Sequence, residues 1–86
     1  MVRGPRYQHE WLPQGVLIWW RGGDGQVRSL YADNNSGITK PMAAALAGVA
    51  LPTLDRWCRK RLVRAVKAPN RPALVLVSDV RRRRPT

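Results

Sequence analysis

Thr53 and Arg56 stand three residues apart, and Arg59, Lys60, Arg61 and Arg64 follow close behind. On a helix, residues 53 and 56 lie one turn apart on one face. Near a helix start, a hydroxyl and a guanidinium so placed can read base edges in a DNA groove. Arginine binds guanine bidentately, a contact that contributes about 1–3 kcal/mol of discrimination. The cations further along suit phosphate. Lys67, Asn70 and Arg71 belong to a Pro- and Asn-bearing turn, from which Arg71 can enter a narrow minor groove. Asp55 is awkward beside phosphates. It can accept from a cytosine amino group or hold Arg59 through an i,i+4 pair, and the pairing is preferred.

Two helices and a hairpin must position these side chains. Thr39 is a helix N-cap, Pro41 fits a first turn and Gly48 supplies a left-handed stop. Met42, Ala43, Leu46 and Ala47 recur at helical spacing, so residues 40–47 form a short helix that begins at Lys40. A second helix follows almost at once, with Pro52 in its first turn. It runs to about Lys60 or Arg61. Its apolar stripe is Leu51, Leu54, Trp57, Cys58 and Leu62, opposite Arg56, Arg59 and Lys60. Residues 63–66 and 73–77 are β-prone and flank the basic turn at 67–72. Helix, tight turn, basic helix and hairpin is the winged helix-turn-helix order, which sets the second helix in the major groove. Ser78 and Asp79 read as a further N-cap and first turn, with Val80 falling back on the core. Arg81, Arg82, Arg83 and Arg84 read as an outward polybasic tail with a nonspecific phosphate grip.

The N-terminal part differs. Residues 1–9 form a basic, aperiodic, flexible arm. Val16-Leu17-Ile18-Trp19-Trp20 is strand-like, Gly22-Gly23-Asp24-Gly25 is a turn, and residues 26–31 alternate polar and apolar. Residues 16–31 therefore read as a β-hairpin. The polar cluster at 32–37 closes a segment spanning 10–37, ahead of the DNA-binding unit at 38–80 and the tail at 81–86. The fold expected is α+β: a winged helix-turn-helix with an additional N-terminal β-hairpin. Trp11, Trp19 and Trp20 have two readings. They pack on either side of the hairpin, or one of them anchors a protein interface, since neighbouring strand residues point to opposite faces.

The chain has 86 residues and a formal charge of +11, which favours a polyanionic partner. Residues 1–38 hold four cations against three anions, and residues 39–86 hold twelve against two. The polyanion site is expected in the second half. One cysteine, Cys58, and one histidine, His9, make neither a disulfide nor a zinc site. No paired carboxylates, nucleophile–base set or phosphate loop are present, so neither an enzyme nor a cofactor is expected. The longest apolar run, residues 16–20, is too short to span a bilayer, and no signal peptide is read. The expected location is cytoplasmic, at the nucleoid.

Residues 39–84 resemble the excisionase branch of the MerR-type winged-helix superfamily, the small recombination directionality factors of phages and mobile elements. Thr53-Leu54-Asp55-Arg56-Trp57-Cys58-Arg59-Lys60, then Arg61-Leu62, the wing at 67–71 and the closing Ser78-Asp79-Val80 carry the resemblance. It implies architectural binding of double-stranded DNA, side by side with further copies, and steering of an integrase toward excision. Some members also repress transcription. Relatives commonly carry Ser or Thr where Ala50 stands, Glu where Met42 stands, and Gly just after the second helix, at Lys60 or Arg61 here. The N-terminal hairpin lies outside the family pattern. Three other readings are open: a small phage or bacterial transcriptional regulator, an RNA-binding or ribosome-associated basic protein, and a module whose hairpin holds a partner protein.

Overall fold

A computed structural model describes residues 6–83. They form an α+β fold of three helices and two small antiparallel sheets. The order is β1 (Gln8–Leu12), β2 (Gly15–Arg21), β3 (Val27–Asp33), β4 (Gly37–Ile38), α1 (Lys40–Ala47), α2 (Leu51–Arg59), β5 (Ala65–Ala68), β6 (Arg71–Leu76) and α3 (Val77–Arg83). One sheet is ordered β1-β2-β3 and the other β4-β6-β5. Arg84 lies outside the described residues.

The expected hairpin is present as β2–β3, with Arg21 opposite Val27 and Gly15 opposite Asp33. Its loop is built on Gly25 at φ 84° and on the Asp24 carboxylate, which accepts from the Gln26 backbone N–H at 3.0 Å. A third strand was not anticipated. Gln8 and His9, read as flexible arm, belong to β1, which pairs with β2 from Gln8–Trp19 to Leu12–Gly15. Five residues are too few for alternation to stand out beside a Gly- and Pro-bearing arm. The register puts His9, Trp11, Val16, Ile18, Trp20 and Ala32 on the inner face. Val16 and Ile18 are fully buried there. Tyr7 closes edge-on against Trp20, ring centroids 5.3 Å apart.

α1 has the expected bounds. The Thr39 hydroxyl accepts from the Met42 N–H at 3.4 Å. At the other end Gly48 stands at φ 71°, and its N–H and that of Val49 donate to the carbonyls of Ala45 and Ala44. This is a Schellman stop. Met42, Ala43, Leu46 and Ala47 are buried as expected, and Ala44 with them. One buried cluster joins these residues to Val16, Ile18 and Ala32 of the first sheet, Ile38, Leu54, Val63, Val75, and Val77 and Val80 of α3. The core therefore runs unbroken across residue 37, where the sequence suggested a boundary.

β5 and β6 form the second hairpin, but it is tighter than expected. The strands run to Ala68 and resume at Arg71, leaving Pro69 and Asn70 as the turn, with Asn70 at φ 60°. β6 pairs on its other side with β4, through Gly37–Leu76 and Ile38–Val75. β4 is two residues long, too short to leave a periodic signal in the polar cluster.

The C-terminal segment departs most from expectation. Residues 81–83, read as tail, continue α3, which follows β6 with no residue between. Arg81 does not point to solvent. Its Nη1 donates to the Leu12 carbonyl at 2.6 Å and to Asn34 Oδ1 at 3.2 Å, and the guanidinium lies 5.3 Å from the Trp11 ring centroid. The helix begins at Val77, ahead of the expected cap, and Asp79 lies in its first turn as expected but turns to a distant partner. It is buried, and its carboxylate accepts from the Arg64 backbone N–H at 2.8 Å, Nε at 3.0 Å and Nη2 at 3.3 Å. That fork holds the Asp79 carboxyl below the ordinary aspartate range against the opposing effect of burial.

Arg81→Met keeps the side chain's bulk and leaves carbonyls without a donor. It is expected to lower the unfolding free energy by about 2 kcal/mol in a urea titration. Asp79 is depressed when folded, so its contribution is complete above its unfolded pKa and fades as pH falls through the folded one. Asp79→Asn is expected to be less stable than the parent at pH 7, with the gap closing on acidification below the aspartate range. A gap unchanged by pH would refute that role for the ionised carboxylate.

Candidate nucleic-acid interface

α2 is a nine-residue helix, and a helix so short takes its orientation from what it packs against. Leu54 is its anchor and is fully buried. Trp57 and Cys58 are half-buried against the core on the same side. Leu51 and Leu62, expected in that stripe, are 43% and 38% exposed, because they overhang the two ends of the contact. The outward side carries Pro52, Arg56, Arg59 and Lys60, all exposed, with Thr53 half-buried at the start. Ala50 offers no side-chain cap, as its residue type requires.

The helix ends at Arg59, slightly early, and the chain turns at Lys60 and Arg61. Arg61 sits at φ 60°, a left-handed conformation unfavourable to a residue with a Cβ. Its N–H donates to the Cys58 carbonyl at 3.1 Å, and that of Leu62 to the Trp57 carbonyl at 2.9 Å. This is the stop that Gly48 makes for α1, now built on an arginine.

A groove between α2 and the β5–β6 hairpin brings together Lys40, Asp55, Cys58, Arg59 and Lys67. Asp55 does not pair with Arg59, as the sequence suggested. It meets Lys40 Nζ of α1 at 2.9 Å, so the helix-local option gave way to a partner across the helix pair. Both side chains are over a third exposed, so the pair adds about 0–1 kcal/mol at most. The hydrogen bond to Asp55 raises the Lys40 pKa, keeping that ammonium charged at the groove floor. Burial pushes the Cys58 thiol up, so it is a thiol, not a thiolate, at neutral pH.

Several expected contacts are placed otherwise. Arg64 is exposed along one side but its fork is taken by Asp79. Arg81 is turned inward and is not a phosphate ligand in this conformation. Arg82 reaches within 4.0 Å of Asp79 and is exposed, as is Arg83. Asn70 is exposed at the hairpin tip and Lys67 on its flank. The Arg71 side chain lies outside the description. Among the tryptophans, Trp11 and Trp20 are half-buried and pack against the core. Trp19 is on the outer face, half-buried, with its Nε1 donating to Gln8 Oε1 at 2.9 Å. The internal roles of Arg64, Asp79 and Arg81 were missed, because their partners lie 15 to 69 residues away.

Among the described residues no group of three His, Cys, Asp or Glu side chains could hold a metal ion, and no helix is long and apolar enough to cross a membrane. No protein-family model, curated protein or solved structure matches the chain.

The left-handed arginine gives a direct test. Arg61→Gly removes the Cβ penalty at that stop and is expected to stabilise the fold by about 1 kcal/mol. That would raise the melting temperature by about 4–8 °C for a domain of this size. A lowered melting temperature would show that the Arg61 side chain makes a stabilising contact.

Proposed function

We propose that the chain binds duplex DNA with a sequence preference, as a winged helix-turn-helix protein with α2 in the major groove and the β5–β6 hairpin as wing. The observation that carries this reading is the convergence of cations from three elements on one groove: Lys40 at the start of α1, Arg59 on α2 and Lys67 on β5, with Arg56 exposed on α2 and Lys60 exposed just past its end. The order of elements supports it, since α1 and α2 are joined by only three residues and β5–β6 is the next pair of elements, beginning at Ala65. Scale supports it too. A helix with its side chains is about 10–12 Å across, and the major groove of B-DNA is about 12 Å wide.

In this arrangement Thr53 and Arg56 meet base edges, and Arg59, Lys60 and Lys67 grip phosphate. Asp55 holds Lys40 at the groove floor. The resemblance of residues 53–60 to excisionases supports a narrower version, an architectural factor that coats a site with neighbouring copies and bends it for an integrase. Repeated motifs at fixed spacing, recovered by selection from random duplexes, would favour that version. A single isolated motif would favour a transcriptional regulator.

If about five phosphates are neutralised, log affinity against log salt should fall with a slope near −4.5. Arg56→Ala should weaken discrimination between preferred and scrambled duplexes by about 1–3 kcal/mol while leaving that slope almost unchanged. A slope near zero for the parent protein would overturn DNA binding. Unaltered site preference in Arg56→Ala would overturn the role given to that residue.

A further inference from the structure

The DNA-facing surface does not stop at α2. Arg6 lies just ahead of Tyr7, whose ring is held against Trp20. Arg21 ends β2, beside that same tryptophan. The two exposed arginines line one recess with Trp19. Arg6 also lines the adjoining recess, formed with Pro41, Val49 and Leu51 at the start of α1 and α2. One residue before Pro41 is Lys40, and one turn beyond Leu51 is Asp55; both line the groove that holds Arg59 and Lys67. The first two recesses share Arg6, and the second and third are lined by neighbouring residues of α1 and α2. Arg21, Arg6, Lys40, Arg59 and Lys67 mark the way, from the end of β2 to the wing.

Asp55 is the one anion lining these recesses among the described residues, and Lys40 already pairs with it. Among the described residues neither the Arg6 nor the Arg21 guanidinium has an ion-pair or hydrogen-bond partner, unlike those of Arg28, Arg64 and Arg81. Counting charge by halves of the chain hides this pair, because three anions in residues 1–38 nearly cancel four cations. Those anions sit elsewhere. Asp24 is paired with Arg28 in the hairpin loop, Asp33 accepts from Asn35 and Ser36, and Glu10 on β1 faces Leu17 of β2, on the face of Gln8 and Trp19 but outside the recess lining.

We propose that Arg6 and Arg21 form a second phosphate clamp, extending the DNA track past the N-terminus of α2 onto the end of the first sheet. The proposal rests on the DNA-binding reading above. Phosphates repeat along a duplex, so a backbone followed from the wing across α2 meets this pair next. The contacts are sequence-independent and act on affinity, not on site preference.

The test uses the full chain and a random-sequence DNA duplex, with affinity measured over a range of salt. Each lost phosphate contact reduces the slope by about 0.9. Arg6→Gln with Arg21→Gln is expected to flatten it by about 2, at an unchanged melting temperature, and Arg6→Lys with Arg21→Lys to restore it. Arg28→Gln, which removes a cation already paired with Asp24, is expected to leave the slope alone. A parent protein that binds no duplex overturns the functional reading and the clamp together. Normal parent binding with an unchanged slope in the double Gln variant overturns the clamp alone. An equal loss in Arg28→Gln also overturns it, by showing that any cation on this sheet counts alike.

Discussion

α3 is held by two arginine contacts on opposite sides, and the arrangement of the whole chain follows from them. On one side Asp79 receives Arg64, just past α2. On the other, Arg81 reaches the turn between β1 and β2. Val77 and Val80 fill the space between, fully buried. A chain of 86 residues with a charge of +11 has little apolar area to offset self-repulsion. Engaging two of its cations, Arg64 on a buried carboxylate and Arg81 on carbonyls, converts part of that repulsion into attachment. The first sheet and the helix pair thereby share one core.

That attachment leaves one side of α2 free of packing. A short helix held by Leu54 and flanked by half-buried Trp57 and Cys58 needs nothing apolar on its far side. Arg56, Arg59 and Lys60 can occupy it without loss of packing. Where the chain leaves the helix, Arg61 accepts a backbone geometry that glycine would take more easily. The same stop on α1, built on Gly48, shows what the unstrained version looks like.

The legible parts of the sequence were those whose causes are local. α1 could be bounded to the residue because Thr39, Pro41 and Gly48 act on their own neighbours. The β2–β3 hairpin could be read from a branched and aromatic run beside a glycine loop. β1 and β4 were hidden, being five and two residues long and defined by strands elsewhere. The four arginines from residue 81 read as a solvated run, since nothing nearby reveals a carbonyl 69 residues earlier. Asp55 offered an obvious partner four residues on, and took Lys40 instead. At the candidate interface, residue types were legible, but which cations were already engaged was not.

The junction between β6 and α3 carries one more implication. Leu76 ends the strand and Val77 begins the helix, with no spare backbone between them. Val77 is fully buried, and its N–H is tied to the Ser36 carbonyl. The hairpin base therefore lacks a hinge. Tilting the β5–β6 hairpin carries α3 with it, and α3 bears the Arg81 grip on the first sheet. A displacement of that hairpin is thus coupled, through α3, to the turn between β1 and β2.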